Sequence, residues 1–307
     1  MSPSTGHVLP IRVALMVFGV IVAATAVLMI KASTLPPALL AASRLTGAMV
    51  VLLPFWWSEI RRFSRARLWA SIRPSLLPGL FLGLHFISWN LGARATLAGN
   101  ASLVVNLVPL VMPFLAWSFL REGPTKREIA GTALALAGVA VLGWGDYHFS
   151  PEHLVGDALC FLSMLVYALY ILLARSRAQR GAMVSYLMPL YASGAVVCLI
   201  WALAFEQPFR PVGGLDWLLI AGLALGPTLI GHSITNWAMT VIRAQTVSLV
   251  NLTQFVFAGT FAYFLFGEVP GPVFFVTASL VASGAAVALF PFSPSGKAKP
   301  PEPDTRR

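Results

Sequence analysis

Three features predict an all-α polytopic membrane protein whose ten transmembrane helices form two inverted five-helix repeats. The first is composition: 58% of the residues are hydrophobic, 10% are charged and the mean hydropathy is +0.80. Soluble domains average about 25% charged residues. The second is length, because the apolar runs reach the roughly 20 residues that a helix needs to cross a bilayer. The third is a pattern that occurs twice.

The repeated pattern relates the two halves of the chain by an offset of 146 residues. It pairs Ser102 with Ser248, Glu122 with Glu268, and Gly138 with Gly284. Five crossings per copy is an odd number, so the second copy must enter the bilayer from the opposite side. Inverted repeats are typical of secondary transporters, whose substrate sites lie near the midplane between the copies. We predict repeats at 1–147 and 148–292, followed by a disordered cytoplasmic tail at 293–307.

Hydropathy places the first five spans in the first repeat. They cover roughly 10–30, 36–57, 74–94, 98–119 and 127–144. The run from Val13 to Ile30 in span 1 is longer than the apolar part of a signal peptide, and it continues into Lys31 and a second span. We therefore interpret span 1 as a retained helix.

The other five spans repeat this order in the second half. They cover roughly 155–174, 184–205, 215–239, 245–266 and 272–291. The loop between spans 2 and 3 contains five arginines, whereas the matching loop between spans 7 and 8 has one basic residue, Arg210. This exchange of loop charge is what two oppositely inserted copies require.

The distribution of basic residues predicts the orientation, because cytoplasmic loops hold an excess of lysine and arginine. With the N-terminus inside, 17 of the 21 basic residues fall on the cytoplasmic side, and three fall outside. Both termini are thus predicted in the cytoplasm, in an inner (plasma) membrane. The net charge of +10 reflects this topology. Since the bases are spread over separate short loops, it does not indicate a nucleic-acid partner.

Two segments near the ends of the halves carry a family resemblance. They are PFLAWSFLREGPTKREIAGTALALAGVAVLG and GTFAYFLFGEVPGPVFFVTASLVASGAAVALF. This doubled arrangement resembles the EamA branch of the drug/metabolite transporter superfamily, and GDALCFLSMLVYALYILLAR is similar to the sixth helix of that family. The resemblance covers the chain except for its two ends. It implies transport of small metabolites without ATP, often the export of amino acids or drugs.

One departure from the family concerns helix 9. The family often has Glu-Pro ahead of the apolar stretch of this helix, where the present chain has Gln254 and Phe255. The first half keeps a proline at the equivalent position, Pro109. The sequence therefore leaves open whether helix 9 is kinked.

Arg44 is the sharpest candidate for substrate contact, because an ionisable residue within a span is costly and marks a functional site. It lies about eight residues into span 2, too deep to reach either surface easily. A guanidinium can hold a substrate carboxylate through two parallel hydrogen bonds, and an arginine in the second helix is common in the family. The alternative is a structural role, in which Arg44 caps carbonyls or pairs with Asp157 near the start of span 6.

Two histidines lie at nearly matching positions of the repeats. His85 in span 3 and His232 in span 8 are 147 residues apart, while Asn90 and Asn236 match at 146, and Trp89 lies beside Asn90. In an inverted pair these groups meet near the midplane, and we predict that they bind substrate. Histidines there can titrate near neutral pH and couple transport to protons. The alternative is that they form interhelical hydrogen bonds.

Spans 4 and 9 supply amide side chains, namely Asn106, Asn251 and Gln254. Amides offer both donors and acceptors without fixed charge, which suits a small polar substrate. They also hold helices together, so this structural role stays open for each. Pro109 and Pro227 lie within spans and can open the helix beside a cavity.

Other classes of function are poorly supported by the sequence. It has no Walker-type motif, no HExxH and no GxSxG, so we expect neither an enzyme nor a bound cofactor or metal. Cys160 and Cys198 lie in apolar spans and predict packing without a disulfide. The small residues of spans 5 and 10, such as Gly131 and Gly284, predict close packing between the copies or between the protomers of a homodimer.

The sequence thus predicts a gradient-driven exporter of small polar metabolites, such as amino acids or related compounds and drugs, that works by alternating access. Its predicted partners are a small-molecule substrate, the lipid bilayer and protons as the coupling ion. The alternative is a lipid flippase or a non-transporting membrane partner protein. Convergence of the polar side chains of spans 3, 4, 8 and 9 distinguishes these, because a solute carrier needs them around one cavity.

Overall fold

A computed structural model of the chain describes residues 5–61, 63–145, 151–178, 183–207 and 211–290. Within these ranges the chain folds into helices and contains no strand, which confirms the predicted all-α class. The predicted tail at 293–307 lies outside the described residues.

Ten helical spans follow one another in the described part of the chain. The first five are α1 (Thr5–Ala32), α2 (Pro37–Ile60), α3 (Arg65–Ala95), α4 (Ala98–Leu120) and α5 (Lys126–Gly145). The second five are α6 (Pro151–Ala178), α7 (Met183–Phe205), α8 (Gly214–Val241), α9 (Ala244–Phe266) and α10 (Pro272–Leu289). Among the described residues, all but α5 are long and apolar enough to cross a membrane by length and composition. Helix α5 has 20 residues and packs along α10.

The repeat is visible in the helix bounds. Helices α4 and α9 begin 146 residues apart and also end 146 residues apart. Helix α3 starts earlier than predicted, at Arg65, because Ser64 caps it by accepting a hydrogen bond from the Arg67 backbone N–H. The first turns of α3 are therefore a basic, polar segment that precedes the apolar part of the helix.

Helices α4 and α9 are both interrupted near the middle, at matching positions. Helix α4 divides into Ala98–Val105 and Met112–Leu120, joined through a 3₁₀ turn at Val108–Leu110 that contains the predicted proline. Helix α9 divides into Ala244–Leu252 and Gln254–Phe266.

The break in α9 forms without a proline. The Thr253 backbone N–H donates to the Val250 carbonyl at 3.0 Å, and the Thr253 hydroxyl donates to the same carbonyl at 2.7 Å. A hydroxyl that binds the preceding turn competes with the regular backbone ladder and favours a bend. Helix 9 is therefore interrupted despite having Gln254-Phe255 in place of Glu-Pro.

Helix α8 contains a widened segment. Residues Ala224–His232 form a π-helix around Pro227, which has no N–H to donate. The Thr228 carbonyl in this segment accepts a hydrogen bond from the Tyr191 hydroxyl of α7 at 3.0 Å. Such π segments are frequent at functional sites, and this one ends at His232.

Small residues bring the helices into close contact. A Cβ atom on Gly131 of α5 would collide with the carbonyl oxygen of Gly284 in α10. The Thr277 hydroxyl of α10 also donates to the Gly138 carbonyl of α5 at 2.8 Å. The small residues of these two spans are thus used between the two repeats of one chain.

Candidate functional site

A small internal cavity of about 40 Å³ lies between the repeats, where α1, α2, α3 and α4 face α6, α8 and α9. This volume holds about three water molecules. Seven of the nine predicted site residues line it: Arg44, His85, Trp89, Asn106, His232, Asn251 and Gln254. The predicted polar groups of spans 3, 4, 8 and 9 therefore converge on one place.

Arg44 is buried, with 1% of its surface exposed. Its Nε donates to the Thr228 hydroxyl of the π segment at 2.8 Å, and its guanidinium carbon lies 4.2 Å from the centre of the Phe86 ring. The two terminal nitrogens, Nη1 and Nη2, are buried and have no hydrogen-bond partner. The alternative pairing with Asp157 is not made. Arg44 thus presents two unused donors beside the cavity.

The two histidines meet across the repeats as their positions predict. The ring centroids of His85 and His232 are 6.5 Å apart. Nδ1 of His85 lies 2.8 Å from the Ser163 hydroxyl, and its ring stacks on Tyr167 with centroids 4.6 Å apart. Nδ1 of His232 is buried and has no partner. The two rings therefore differ, because Nδ1 of His85 contacts a hydroxyl whereas Nδ1 of His232 has no hydrogen-bond partner.

The amides of α4 and α9 are only partly used in holding the fold. Asn106 donates to the Ser102 carbonyl one turn earlier at 2.8 Å, where α4 breaks. Asn251 and Gln254 form long contacts of 3.4 Å, with the Tyr167 hydroxyl and the Ala23 carbonyl. Their weak bonds leave these two amides able to turn toward a ligand.

Asn90 and Asn236 do not line the cavity. Asn90 is fully buried and donates to the Pro37 carbonyl at 2.8 Å, which ties α3 to the start of α2. Asn236 donates to the Tyr170 hydroxyl at 2.6 Å and to the His232 carbonyl at 2.8 Å. In this structure both asparagines join helices, the alternative that the sequence left open.

Several residues of the site are not among those predicted: Phe86 and Thr235 line the cavity, and Thr228 binds Arg44. Phe86 has no distinguishing signal in the sequence, because it is one apolar residue in an apolar span. Thr228 and Thr235 are polar residues inside span 8, and Thr228 follows Pro227 directly. A polar side chain next to a mid-span proline is a signal that could have identified Thr228.

The charge of the cavity wall has one sign. Arg44 is the ionised side chain of the wall, two histidines accompany it, and no aspartate or glutamate lines the cavity among the described residues. An anion in this space would meet two guanidinium donors, whereas a cation would meet an uncompensated positive charge. The site can therefore bind a small anion or the carboxylate end of a larger ligand.

The EamA-like transporter family matches the chain twice, over residues 11–144 and 154–290. The uncharacterised transporter YyaM of Bacillus subtilis is 27% identical over 176 residues, which are 55% of this chain and 56% of that protein. A probable terminal-alkyne amino-acid exporter of Streptantibioticus cattleyicolor is 28% identical over 199 residues, which are 61% and 62%. The matches thus span less than two thirds of each relative.

A protein of known crystal structure has the same fold. It superposes with a TM-score of 0.72 at 20% sequence identity, covering 91% of this chain and 97% of the other. The family match covers nearly all of the residues that the structure describes and includes both halves of the chain. The chain therefore belongs to the EamA-like transporter family, and it is a multi-pass membrane protein.

Proposed function

We propose that the protein is a gradient-driven exporter of small metabolites that carry a carboxylate, such as amino acids. The observation that supports this most is the state of Arg44, whose two terminal nitrogens are buried beside a cavity with no partner. A carboxylate would accept from both nitrogens at once. Each hydrogen bond to a charged group contributes about 1.5 to 3 kcal/mol.

The remaining wall suits the rest of such a molecule. Asn106, Asn251 and Gln254 offer polar contacts, and Trp89 and Tyr167 offer aromatic faces. Because no carboxylate among the described residues lines the cavity, the ammonium of an amino acid would contact an aromatic face, where cations are attracted by the ring. The name of the Streptantibioticus relative, a probable amino-acid exporter, agrees with this class of substrate.

The size of the cavity supports a transport cycle in which the helices move. A space of about 40 Å³ does not admit an amino acid. Binding therefore requires the two repeats to separate around the cavity, as alternating access demands. The small polar cavity also favours a solute over the lipid of a flippase, whose acyl chains need apolar walls.

We also propose that protons drive export through His232 and that both termini lie in the cytoplasm. His232 carries a buried ring nitrogen without a partner, 6.5 Å from the other histidine between ring centroids. Export driven by proton influx requires that proton and substrate occupy the cavity in turn. A protonated His232 would repel the ammonium of a bound amino acid, so the two would exchange. Dimer formation stays a prediction.

The test compares Arg44 with a matched arginine at the end of α2. Purified protein is screened by thermal shift against matched pairs of amino acids and their amides, since a bound ligand raises stability by mass action. The uptake of each ligand found in the screen is then measured in inverted membrane vesicles. Arg44→Lys and Arg44→Ala should abolish uptake of carboxylates, because neither offers two parallel donors, while Arg61→Lys should transport normally. Unchanged transport in both Arg44 variants would refute the role of Arg44.

A further inference from the structure

The two ends of the molecule carry matching contacts made by different basic residues. At one end, here called the Arg175 end, Nη1 of Arg175 donates to the Met239 and Ile242 carbonyls at 2.8 and 2.7 Å. At the other, the Lys31 end, Nζ of Lys31 donates to the Thr96 carbonyl at 2.7 Å. Thr96 and Ile242 are 146 residues apart, which is the repeat offset. Lys31 therefore ties α1 to the end of α3 as Arg175 ties α6 to the end of α8.

The carboxylates near these contacts also match, but their pairing differs. Glu122 follows α4 and Glu268 follows α9, again 146 residues apart. Nη2 of Arg175 donates to both carboxylate oxygens of Glu122, at 2.8 and 3.0 Å. Lys31 and Glu268 are near enough to interact electrostatically, yet no ion pair joins these two described residues. The Arg175–Glu122 pair is formed, and the Lys31–Glu268 pair is not.

The Lys31 end has open space beside Glu268. A cavity of about 320 Å³ lies against Glu268, with Leu97, Asn100 and Phe274 in its wall. The Lys31 end has other contacts, since Asp216 accepts hydrogen bonds from the α1–α2 link. Those contacts join that link to α8, whereas the open space is lined by residues of α4, α9 and α10.

The equivalent space at the Arg175 end is filled. By the repeat offset, the counterparts of Leu97, Asn100 and Phe274 are Arg243, Thr246 and Glu128. Nε of Arg243 donates to the Glu128 carboxylate at 2.9 Å, and the Thr246 hydroxyl donates to it at 3.1 Å. Glu128 is buried. The Arg175 end is thus closed by two ion pairs where the Lys31 end is open.

We propose that Lys31 and Glu268 form the ion pair that closes the Lys31 end when the Arg175–Glu122 pair breaks. In inverted repeats, each repeat can adopt the conformation of the other, so a contact made at one end in one state is made at the opposite end in the alternate state. This inference rests on the proposed transport function, which requires each end to open in turn. The structure is then the state in which ion pairs close the Arg175 end and the Lys31–Glu268 pair is not formed.

The two closures differ in strength. Leu97 and Phe274 cannot form the counterpart of the Arg243–Glu128 pair, so Lys31–Glu268 would be a single ion pair where the Arg175 end has two. Neutralising Glu268 should therefore remove that ion pair from the alternate state, while neutralising Glu122 removes one of two ion pairs in the present state. The two substitutions should therefore shift the equilibrium between the two states in opposite directions.

The test measures how fast a cysteine in the open space is labelled. Asn100→Cys is introduced into the full-length protein in detergent, where a water-soluble maleimide reaches both ends. Glu122→Gln should slow labelling by up to about five-fold, because loss of a part-buried ion pair shifts the equilibrium toward closure of the Lys31 end. Adding Glu268→Gln should restore the fast rate. Lys31→Glu with Glu268→Lys, which exchanges the charges, should make labelling slow again in the Glu122→Gln protein.

Two controls make each outcome decisive. Glu59→Gln neutralises a carboxylate outside these contacts and should leave labelling unchanged. Cys198 is fully buried, so its labelling identifies a variant that has unfolded, and Glu122→Asp then replaces that variant. The proposal is overturned if Glu122→Gln does not slow labelling, or if Glu268→Gln fails to restore it. Labelling needs no substrate, so a failed transport assay with Arg44 variants would leave this result standing.

Discussion

The guanidinium carbon of Arg44 lies 4.2 Å from the centre of the Phe86 ring, so an aromatic face covers one side of the charge at the cavity. Thr228 holds the Nε edge of the same group at 2.8 Å. Contacts from α3 and α8 thus fix the guanidinium plane before any ligand arrives. Preorganised donors lose little side-chain freedom on binding, which makes this geometry suited to recognition.

Replacing Phe86 should weaken the binding of a carboxylate ligand without preventing folding. In Phe86→Leu, the cation–π contact disappears while an apolar side chain still fills most of the space. Such contacts contribute about 0.5 to 2 kcal/mol, which corresponds to a Kd that rises about 2- to 30-fold. Calorimetric titration checks this, with Phe55→Leu on the exposed face of α2 as the control. An unchanged Kd in Phe86→Leu would show that the ring does not position Arg44.

His232 should carry the pH dependence of transport. Arg44, His85, Tyr167 and Tyr170 surround it, and its Nδ1 has no partner. In His232→Gln, we expect uptake that no longer varies with pH, together with loss of proton movement, because the side chain cannot titrate. A pH-sensitive dye inside vesicles measures that movement during uptake.

His85 provides the matched comparison. Its Nδ1 is occupied by the Ser163 hydroxyl, so His85→Gln should lower thermal stability by about 0.6 to 2 kcal/mol and keep the pH dependence. Proton movement that survives in His232→Gln and vanishes in His85→Gln would assign the proton to the other histidine.

The fold could be predicted because the features that determine it are visible in the amino-acid sequence. Run length and the offset of 146 residues specify spans and repeats without any knowledge of packing. Part of the site followed from the cost of polar groups in hydrocarbon, which singles out Arg44 and the two histidines.

The rest of the site depends on which helix face points inward. Phe86 becomes part of the site only because α2 places Arg44 above it. Asn90 and Asn236 match at the repeat offset, yet their helices turn them toward the Pro37 carbonyl and the Tyr170 hydroxyl. A residue position fixes depth in the membrane, and tertiary packing fixes the direction of the side chain.

Substitution of Asn90 and of Asn251 should distinguish an amide with a structural role from an amide that binds substrate. Asn90→Ala removes a short hydrogen bond to a backbone carbonyl and should lower thermal stability, with a Kd close to that of the unsubstituted protein. Asn251→Ala removes a long contact of 3.4 Å, so stability should change less. Its Kd for substrate should rise by about 3- to 10-fold, since one hydrogen bond contributes about 0.5 to 1.5 kcal/mol. The opposite pattern would assign the binding role to Asn90.

Gly131 should tolerate no larger side chain, because its neighbour across the repeats is backbone. A Cβ atom there would meet the Gly284 carbonyl oxygen, whereas a Cβ atom on Gly99 would meet nothing within 4 Å. Gly131→Ala should therefore destabilise the protein by about 1 to 3 kcal/mol through overpacking. Gly99→Ala, also within a helix, should be neutral or stabilising by up to about 1 kcal/mol.

A substitution of Gly284 tests the other side of the same contact between α5 and α10. A Cβ atom on Gly284 would meet the Gly131 carbonyl, so Gly284→Ala should cost a similar amount. The double variant should cost less than the sum, since α5 and α10 need to move apart only once. Thermal unfolding in detergent measures all four proteins. Equal stability of Gly131→Ala and Gly99→Ala would mean that the close approach of the two helices does not stabilise the fold.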